Sequence, residues 1–374
     1  MRIGIVCYPT IGGSGVVATE LGKALAAKGH KIHFITYDQP VRLSELGTNM
    51  FYHEVLVSQY PLFQYPPYEL VLTSKLVDVV KHEKLDLLHV HYAIPHASAA
   101  YMAQQILKQQ GINIPFITTL HGTDITLVGK DPSFEPVITF SINNSNAVTA
   151  VSENLKGDTL RYFEVKPEIQ VIPNFICPER HEKIDNTQLK KSYAPNGERI
   201  IMHMSNFRPV KRVHDVVKTF ALIQEKIPAK MIFVGDGPDR FAVEKICREL
   251  GTCKDTIFLG KVKDVEEVID IADLFILPSQ TESFGLAALE AMISRVPVIT
   301  SNAGGLPEVM EQGVSGFMSN VGDIEDMAKN ALDILKNEES IAHFKAGAFK
   351  QANKFDIKNI LPQYEELYAK VLAK

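Results

Sequence analysis

The 374-residue sequence contains no tryptophan and only four cysteines. It also lacks any apolar run near the roughly 20 residues a membrane-spanning helix requires. The cysteines, Cys7, Cys177, Cys247 and Cys253, form no C-x-x-C pair. That spacing argues against a disulfide scaffold or a zinc knuckle and for reduced thiols in a cytosolic protein. The formal charge is -5, so the basic field that nucleic-acid phosphates demand is missing. "MRIGIVCYPT" enters a strand at once and leaves no room for a signal peptide, which predicts a cytoplasmic location. No D-x-D motif, internal repeat or low-complexity tract is present.

What is present is an alternation of short β-branched runs with longer amphipathic stretches, the mark of parallel βαβ units. Seven strand candidates occupy the first half, "RIGIVCY", "KIHFITY", "FYHEVLV", "LDLLHVHY", "PFITTLH", "AVTAVS" and "IQVIPN". Six occupy the second, "RIIMHMSN", "KMIFVGDG", "TIFLGKV", "LFILPS", "PVITS" and "GFMSN". Each set suffices for a doubly wound sheet, and 374 residues exceed one comfortable core. The expected organisation is an N-terminal domain over 1–173 and a second domain over 199–354. A polar connection over 174–198 would join them, and a closing helix over 355–374 would pack back on the first domain.

The stretch "CYPTIGGSGVVATEL" poses a choice. Gly13, Gly15 and Ala18 fit a dinucleotide fingerprint, and Asp38 lies where a ribose-binding carboxylate would. However, Pro9, Thr10 and Ile11 separate the strand from Gly12, whereas a dinucleotide loop turns directly off its strand. That separation argues against a dinucleotide loop, and Gly13 and Gly15 would allow a close backbone approach.

The second half carries the stronger signal. In "PSQTESFGLAALEAM", Glu282 and Glu290 bracket Ser283, Phe284, Gly285 and Leu286 just after an apolar strand and just before an amphipathic helix. Amides at that helix start suit a diphosphate, helped by the helix dipole. Glu290 could accept from a ribose diol, and Glu282 could face the sugar. "SNFRPVKR" places Asn206, Arg208 and Lys211 at another strand end, with cations for the phosphates. "VGDGPDR" adds Gly235, and "FLGKV" adds Lys261 and Val262 beside a base. Each taken alone is as well explained by turns or solvated charge; the combination is not.

"GGSG", "HVHYAIPHA", "TTLHGTD", "SNFRPVKR", "VGDGP", "ESFGLAALEAM" and "AGGLPEV", in that order, resemble the retaining E-x7-E glycosyltransferases of family 4. That resemblance implies the GT-B fold, an α/β architecture of two Rossmann-like parallel-sheet domains facing a central cleft. It also implies a metal-independent reaction with no cofactor. Lys211, Glu282, His121 and Arg208 would be catalytic, His121 binding the donor sugar's 6-hydroxyl. Gly15, Asn206, Gly235, Lys261, Val262 and the 282–286 loop with Glu290 would hold the donor.

"CYPTIGGSGVVATELG", "FQYPPYEL" and "TTLHGTDIT" are most similar to the malate-accepting branch of that family. This implies transfer from UDP-N-acetylglucosamine to L-malate, the first step of bacillithiol synthesis. Gly13, Ser14, Gly15, Tyr92 and Thr119 are the acceptor-side candidates. Acidic and basic residues nearly balance over 1–172, which favours a small soluble acceptor over a membrane-held one.

Three departures stand out. Thr139 occupies a position where relatives with anionic acceptors place a base, Asn206 replaces an arginine, and Arg295 replaces a helix-ending glycine. The last predicts a differently built turn, because the left-handed conformation is costly for arginine. His89, His91 and His96 lack a convergent ligand spacing and read as core or cleft histidines. Other acceptors (a lipid or inositol phosphate), a non-catalytic sugar-nucleotide binder and an NAD oxidoreductase remain alternatives. A homo-oligomer is compatible with the sequence.

Overall fold

The computed structural model describes residues 1–9, 12–43, 47–57, 64–181, 186–262 and 264–373. Thr10 and Ile11 of the glycine-rich loop, Phe63 of "FQYPPYEL" and Lys374 lie outside them. The chain forms two compact units, Met1–Phe175 with Ile357–Lys374, and Ile176–Asp356.

The first unit contains β1 (Arg2–Val6), β2 (Lys31–Thr36), β3 (Met50–Glu54), β4 (Leu87–His91), β5 (Phe116–Leu120), β6 (Ala147–Ala150) and β7 (Ile169–Val171). They pair in the order β3-β2-β1-β4-β5-β6-β7, all parallel. β4 and β5 are buried at every residue, as continuous apolar strands covered on both faces must be. Val6, Val90 and Phe116 of the sheet pack with Leu72 and Leu76 of the helix Tyr68–Glu83. Gly22 lets the helix Gly13–Ala27 approach β2: a Cβ there would come within 2.4 Å of the Phe34 ring. The C-terminal helix Ile357–Leu372 belongs to this unit. It buries Tyr364 and Tyr368 completely and pairs Glu365 with Lys28 at 2.7 Å.

The second unit contains β8 (Arg199–Met204), β9 (Ala229–Val234), β10 (Thr256–Gly260), β11 (Leu274–Leu277), β12 (Val298–Ser301) and β13 (Gly316–Ser319). Their order is β10-β9-β8-β11-β12-β13. All thirteen expected strands form, seven in one sheet and six in the other. In each sheet the strand order reverses at one place, between β1 and β4 and between β8 and β11. Ligands of open parallel sheets bind outside the carboxyl ends of the strands at such a switch point.

Two expectations need correction. The polar stretch 174–198 is not a free connection: from Ile176 onward it is part of the second unit. It forms a turn, Pro178–His181, and a helix, Thr187–Tyr193; residues 182–185 lie outside the described set. Its charges are polar because they have partners there. Arg180 Nε meets Glu266 at 3.1 Å, and Lys190 Nζ meets the buried Asp273 at 2.6 Å. Arg295, secondly, does not rebuild its turn but adopts the glycine-like conformation, with φ of 61°. Its guanidinium lies 3.8 Å from the centroid of the Phe349 ring. Such cation–π contacts contribute about 0.5–1 kcal/mol at exposed sites, close to the roughly 1 kcal/mol cost of the backbone conformation.

Candidate functional site

In the first unit the loops leaving β1, β4 and β5 carry the chemistry. Gly12 is extended and Gly13 opens the helix, whose first internal bond runs from Val16 N to Gly12 O at 3.2 Å. The amides before that bond have no helical acceptor of their own, and no acidic side chain occupies the first turn. Gly13 is exposed, Ser14 is half-buried and Gly15 is buried. Tyr92 follows β4 with φ of 82°, fixed by its amide donating to Thr119 O at 2.9 Å. Its hydroxyl donates to Ser14 Oγ at 2.7 Å, so the exits of β1 and β4 are tied together across the switch point. Burial raises the Tyr92 phenol above its ordinary range, which keeps it a neutral donor.

Thr119 does not stand with these two. It is fully buried, and its hydroxyl sits 2.7 Å from both His89 Nε2 and Thr149 Oγ1. Both its side chain and its carbonyl are committed inside the unit, which removes it from the ligand-facing set. Neighbouring positions on a strand point to opposite faces, and sequence alone does not say which hydroxyl finds internal partners.

Behind Tyr92 stands a ladder of imidazoles. His89 and His91 stack at 4.7 Å, and His91 and His121 at 5.0 Å. His91 Nδ1 meets His121 Nε2 at 2.7 Å, and His89 Nδ1 meets the Tyr368 hydroxyl at 2.7 Å. His96 Nδ1 donates to the His91 carbonyl at 2.5 Å. Burial lowers His89 and His121 to about 3 and His96 to about 4, and holds His91 well below its ordinary value. Neutral rings can stack in this way where imidazolium ions would repel. His121 is therefore a neutral hydrogen-bonding group, with Nε2 occupied by His91 and Nδ1 left for another partner. Asp124 ties the loop down, accepting from Ala93 N at 2.8 Å and Gly122 N at 3.2 Å.

Thr139 donates to Glu135 at 2.6 Å. Both line a groove of about 580 Å³ that also receives Arg161 and Glu164. Arg161 lies in the last turn of the helix Glu153–Tyr162, the end away from the carboxyl edge of β6. The groove thus belongs to the flank of the sheet rather than its ligand-binding edge.

In the second unit the exits of β8 and β11 meet across their switch point. Lys211 ends the turn Pro209–Lys211, and its Nζ lies 2.6 Å from Glu282 Oε2. Both side chains are largely but not wholly covered. Ser279 Oγ donates to the same carboxylate oxygen at 3.2 Å, and Gln280 N donates to Val210 O at 2.7 Å. Ser279 and Gln280 are supports that the motif reading missed; only their place at the end of "LFILPSQ" hinted at them. Asn206, Arg208 and Lys261 are exposed, and Val262 is half-buried. Gly235 has φ of 107°, and a Cβ on it would fall 1.9 Å from Ser205 O. It therefore lets the "VGDG" loop press against the loop that carries Asn206 and Arg208.

Gly285, with φ of 104°, caps the helix Leu286–Ile293. Leu289 N to Gly285 O, at 3.0 Å, is the bond that begins it. Phe284 is buried against Phe355 at 5.5 Å, so it anchors the loop and only its backbone is available to a ligand. Ser283 and Glu290 are half-buried. The "AGG" loop holds Glu282 from behind: Gly305 N donates to Glu282 O at 2.8 Å. A cation, a carboxylate and a helix start converge at one strand edge, an arrangement able to bind a diphosphate and stabilise charge growing on it.

Comparison with known proteins identifies the family. Residues 11–180 match the model of Glycosyltransferase Family 4, and residues 185–351 match that of Glycosyl transferases group 1. An N-acetyl-alpha-D-glucosaminyl L-malate synthase of Bacillus anthracis is 47% identical over 374 residues, covering 100% of this chain and 97% of that protein. The chain is a GT-B glycosyltransferase of this family. Among solved structures, the HepE protein of Anabaena in complex with UDP and glucose has the same fold. Its TM-score is 0.83 at 20% identity, with 99% of each chain covered. A sucrose-phosphate synthase from Thermosynechococcus elongatus superposes with a TM-score of 0.81 at 19% identity, covering 100% of this chain and 99% of that one. Among the described residues, no helix of this glycosyltransferase is long and apolar enough to cross a membrane.

Proposed function

We propose that this glycosyltransferase moves N-acetylglucosamine from UDP-N-acetylglucosamine to the hydroxyl of L-malate, with retention at the anomeric carbon and without a metal. The observation that carries the reading is the 47% identity, over the whole chain, to an N-acetyl-alpha-D-glucosaminyl L-malate synthase. The bond from the anomeric carbon to UDP breaks while the malate oxygen attacks from the same face, and the malate proton passes to the departing phosphate oxygen. Lys211, the amides of 284–286 and Arg208 offset the charge gathering on the diphosphate. Glu282, held by Ser279 and Gly305, positions the sugar, and His121 presents Nδ1 to its 6-hydroxyl. Glu290 receives the ribose, with Asn206, Gly235, Lys261 and Val262 around the nucleotide.

For malate, a dianion, the donors are the amides of Gly13, Ser14 and Gly15 at the helix start, with the Ser14 and Tyr92 hydroxyls beside them. The work is done in the cytoplasm on two small soluble substrates. UDP release from UDP-N-acetylglucosamine, measured with and without L-malate and paired with product mass, tests the proposal. Malate-dependent release of UDP with a product of the expected mass is the predicted result. UDP binding with no malate-dependent release would overturn the acceptor assignment.

A further inference from the structure

We propose that His33, His53 and Glu83 form a binding site for one divalent transition-metal ion of zinc type, at the β3 edge of the first unit. The site is structural and separate from the residues assigned to glycosyl transfer.

The sheet register brings the histidines together. His33 pairs with Phe51 in the β2–β3 ladder, and Ile35 pairs with His53. His53 therefore lies two residues beyond His33's direct partner, and period-two alternation puts both imidazoles on one face. Glu83, the last residue of the helix Tyr68–Glu83, comes down onto that face. One ligand atom from each of the three lies within 4.8 Å of the others.

The distances suit a metal. His33 Nδ1 and His53 Nε2 are 3.0 Å apart. Zinc–nitrogen bonds of about 2.0–2.1 Å at a tetrahedral angle place two ligand nitrogens about 3.4 Å apart. The histidine pair is within a few tenths of an ångström of that spacing. The Glu83 carboxylate, half-buried at the helix end, needs only a side-chain adjustment to close the third edge. Water would complete four-coordination.

Burial and ring orientation point the same way. His33 is 1% exposed, so its imidazole is held in place on the sheet. The rings are already oriented, His33 stacking on Phe51 at 4.6 Å and on His53 at 5.2 Å. The surrounding charge is mixed: Asp78 and Glu83 face the pair together with Arg2, Lys31 and Lys75. Arg2 Nη1 donates to the backbone oxygen of Glu83 at 2.9 Å.

Two neutral imidazoles and one carboxylate are a borderline donor set that favours zinc, copper or nickel over magnesium or calcium. The benefit would be local. β3 is an edge strand with every residue at least partly exposed, and an ion would bind it to β2 and to the helix above.

The test uses the full chain, stripped with chelator and titrated with zinc chloride and, separately, cobalt(II) chloride. The expected result is one zinc retained per chain after gel filtration, a raised unfolding temperature and a visible cobalt absorption band. His53→Gln should weaken zinc binding at least tenfold and abolish the band, with its circular dichroism unchanged. Glu83→Gln, at the surface end of a helix, provides the same comparison should His53→Gln fail to fold. No stoichiometric zinc on the wild-type chain would overturn the proposal. So would equal zinc uptake by wild type and a folded variant, which would mark adventitious binding elsewhere, for instance at the exposed Cys253.

Discussion

Replacing Gly304 by alanine should damage this enzyme out of proportion to the single methyl added. Gly304 has φ of 59°, and a Cβ there would lie 1.9 Å from the carbonyl oxygen of Glu282, against 3.4–4 Å for an ordinary contact. Glu282 or the "AGG" loop must therefore retreat by at least about 1.5 Å. Gly313 is the control: its φ is 74°, yet nothing lies within 4 Å of its would-be Cβ. Both substitutions carry the left-handed backbone cost of about 1 kcal/mol. Only Gly304→Ala adds an overpacking term, about 1–3 kcal/mol. Gly313→Ala should thus lose about 1 kcal/mol and Gly304→Ala about 2–4 kcal/mol, read from urea unfolding.

Catalysis should separate them further. Glu282 is ion-paired with Lys211 at 2.6 Å, and a displacement near 1 Å at reacting groups can cost about a hundredfold. Gly304→Ala should therefore lose turnover at that scale under conditions where it is still folded, while Gly313→Ala retains it. Equal losses of stability in the two variants, or normal turnover in folded Gly304→Ala, would refute the reasoning.

Three other outcomes follow from the geometry. Lys211→Ala should lower kcat by about 10²–10³, the scale of one lost charge-stabilising donor, with folding little changed; turnover within threefold of wild type would remove Lys211 from the reaction. Arg295→Gly should leave stability within about 0.5 kcal/mol, because the relieved backbone cost offsets the lost Phe349 contact. Arg295→Ala, which keeps the backbone cost and loses the contact, should fall about 0.5–1 kcal/mol below wild type in the same unfolding assay. Acid should destabilise the protein well above the carboxylate range. His89, His96, His121 and His203 fall to about 3 or 4 in the folded chain, so between there and pH 6.5 the unfolded chain binds more protons and stability drops as pH falls. Asp124, raised to about 6, acts in the opposite sense over the same window, but it is one group against four. A urea midpoint that is flat from pH 7 to pH 5 would contradict the assignment of neutral buried imidazoles.

How much of this was legible in advance depended on whether the deciding partner was local. The strands were readable because a parallel strand buried on both faces is an apolar run in its own right, as "LLHVH" and "LFIL" are. The "ESFG" loop was readable because strand, loop and helix start are contiguous. Thr119 was misjudged because the groups that claim its hydroxyl, His89 and Thr149, are each 30 residues away. Residues 174–198 looked like a linker because their charges are paired with Glu266 and Asp273, more than 80 residues on. The turn at Arg295 could not be anticipated without Phe349, which lies on a helix packed against the one that Arg295 ends.

The same distinction explains why the candidate site needed the sheet order to make sense. "SNFRPVKR" and "PSQTESFG" are separated by some 70 residues, and nothing in either string requires them to meet. They meet because β8 and β11 are neighbours with exits on either side of the reversal in strand order. There the helices following the two strands lie on opposite faces and leave the edge between them open. The first unit repeats the arrangement with β1 and β4, which is why Ser14 and Tyr92, 78 residues apart, share a hydrogen bond. In both units the motif supplies the chemical groups, and the topology determines which groups act together.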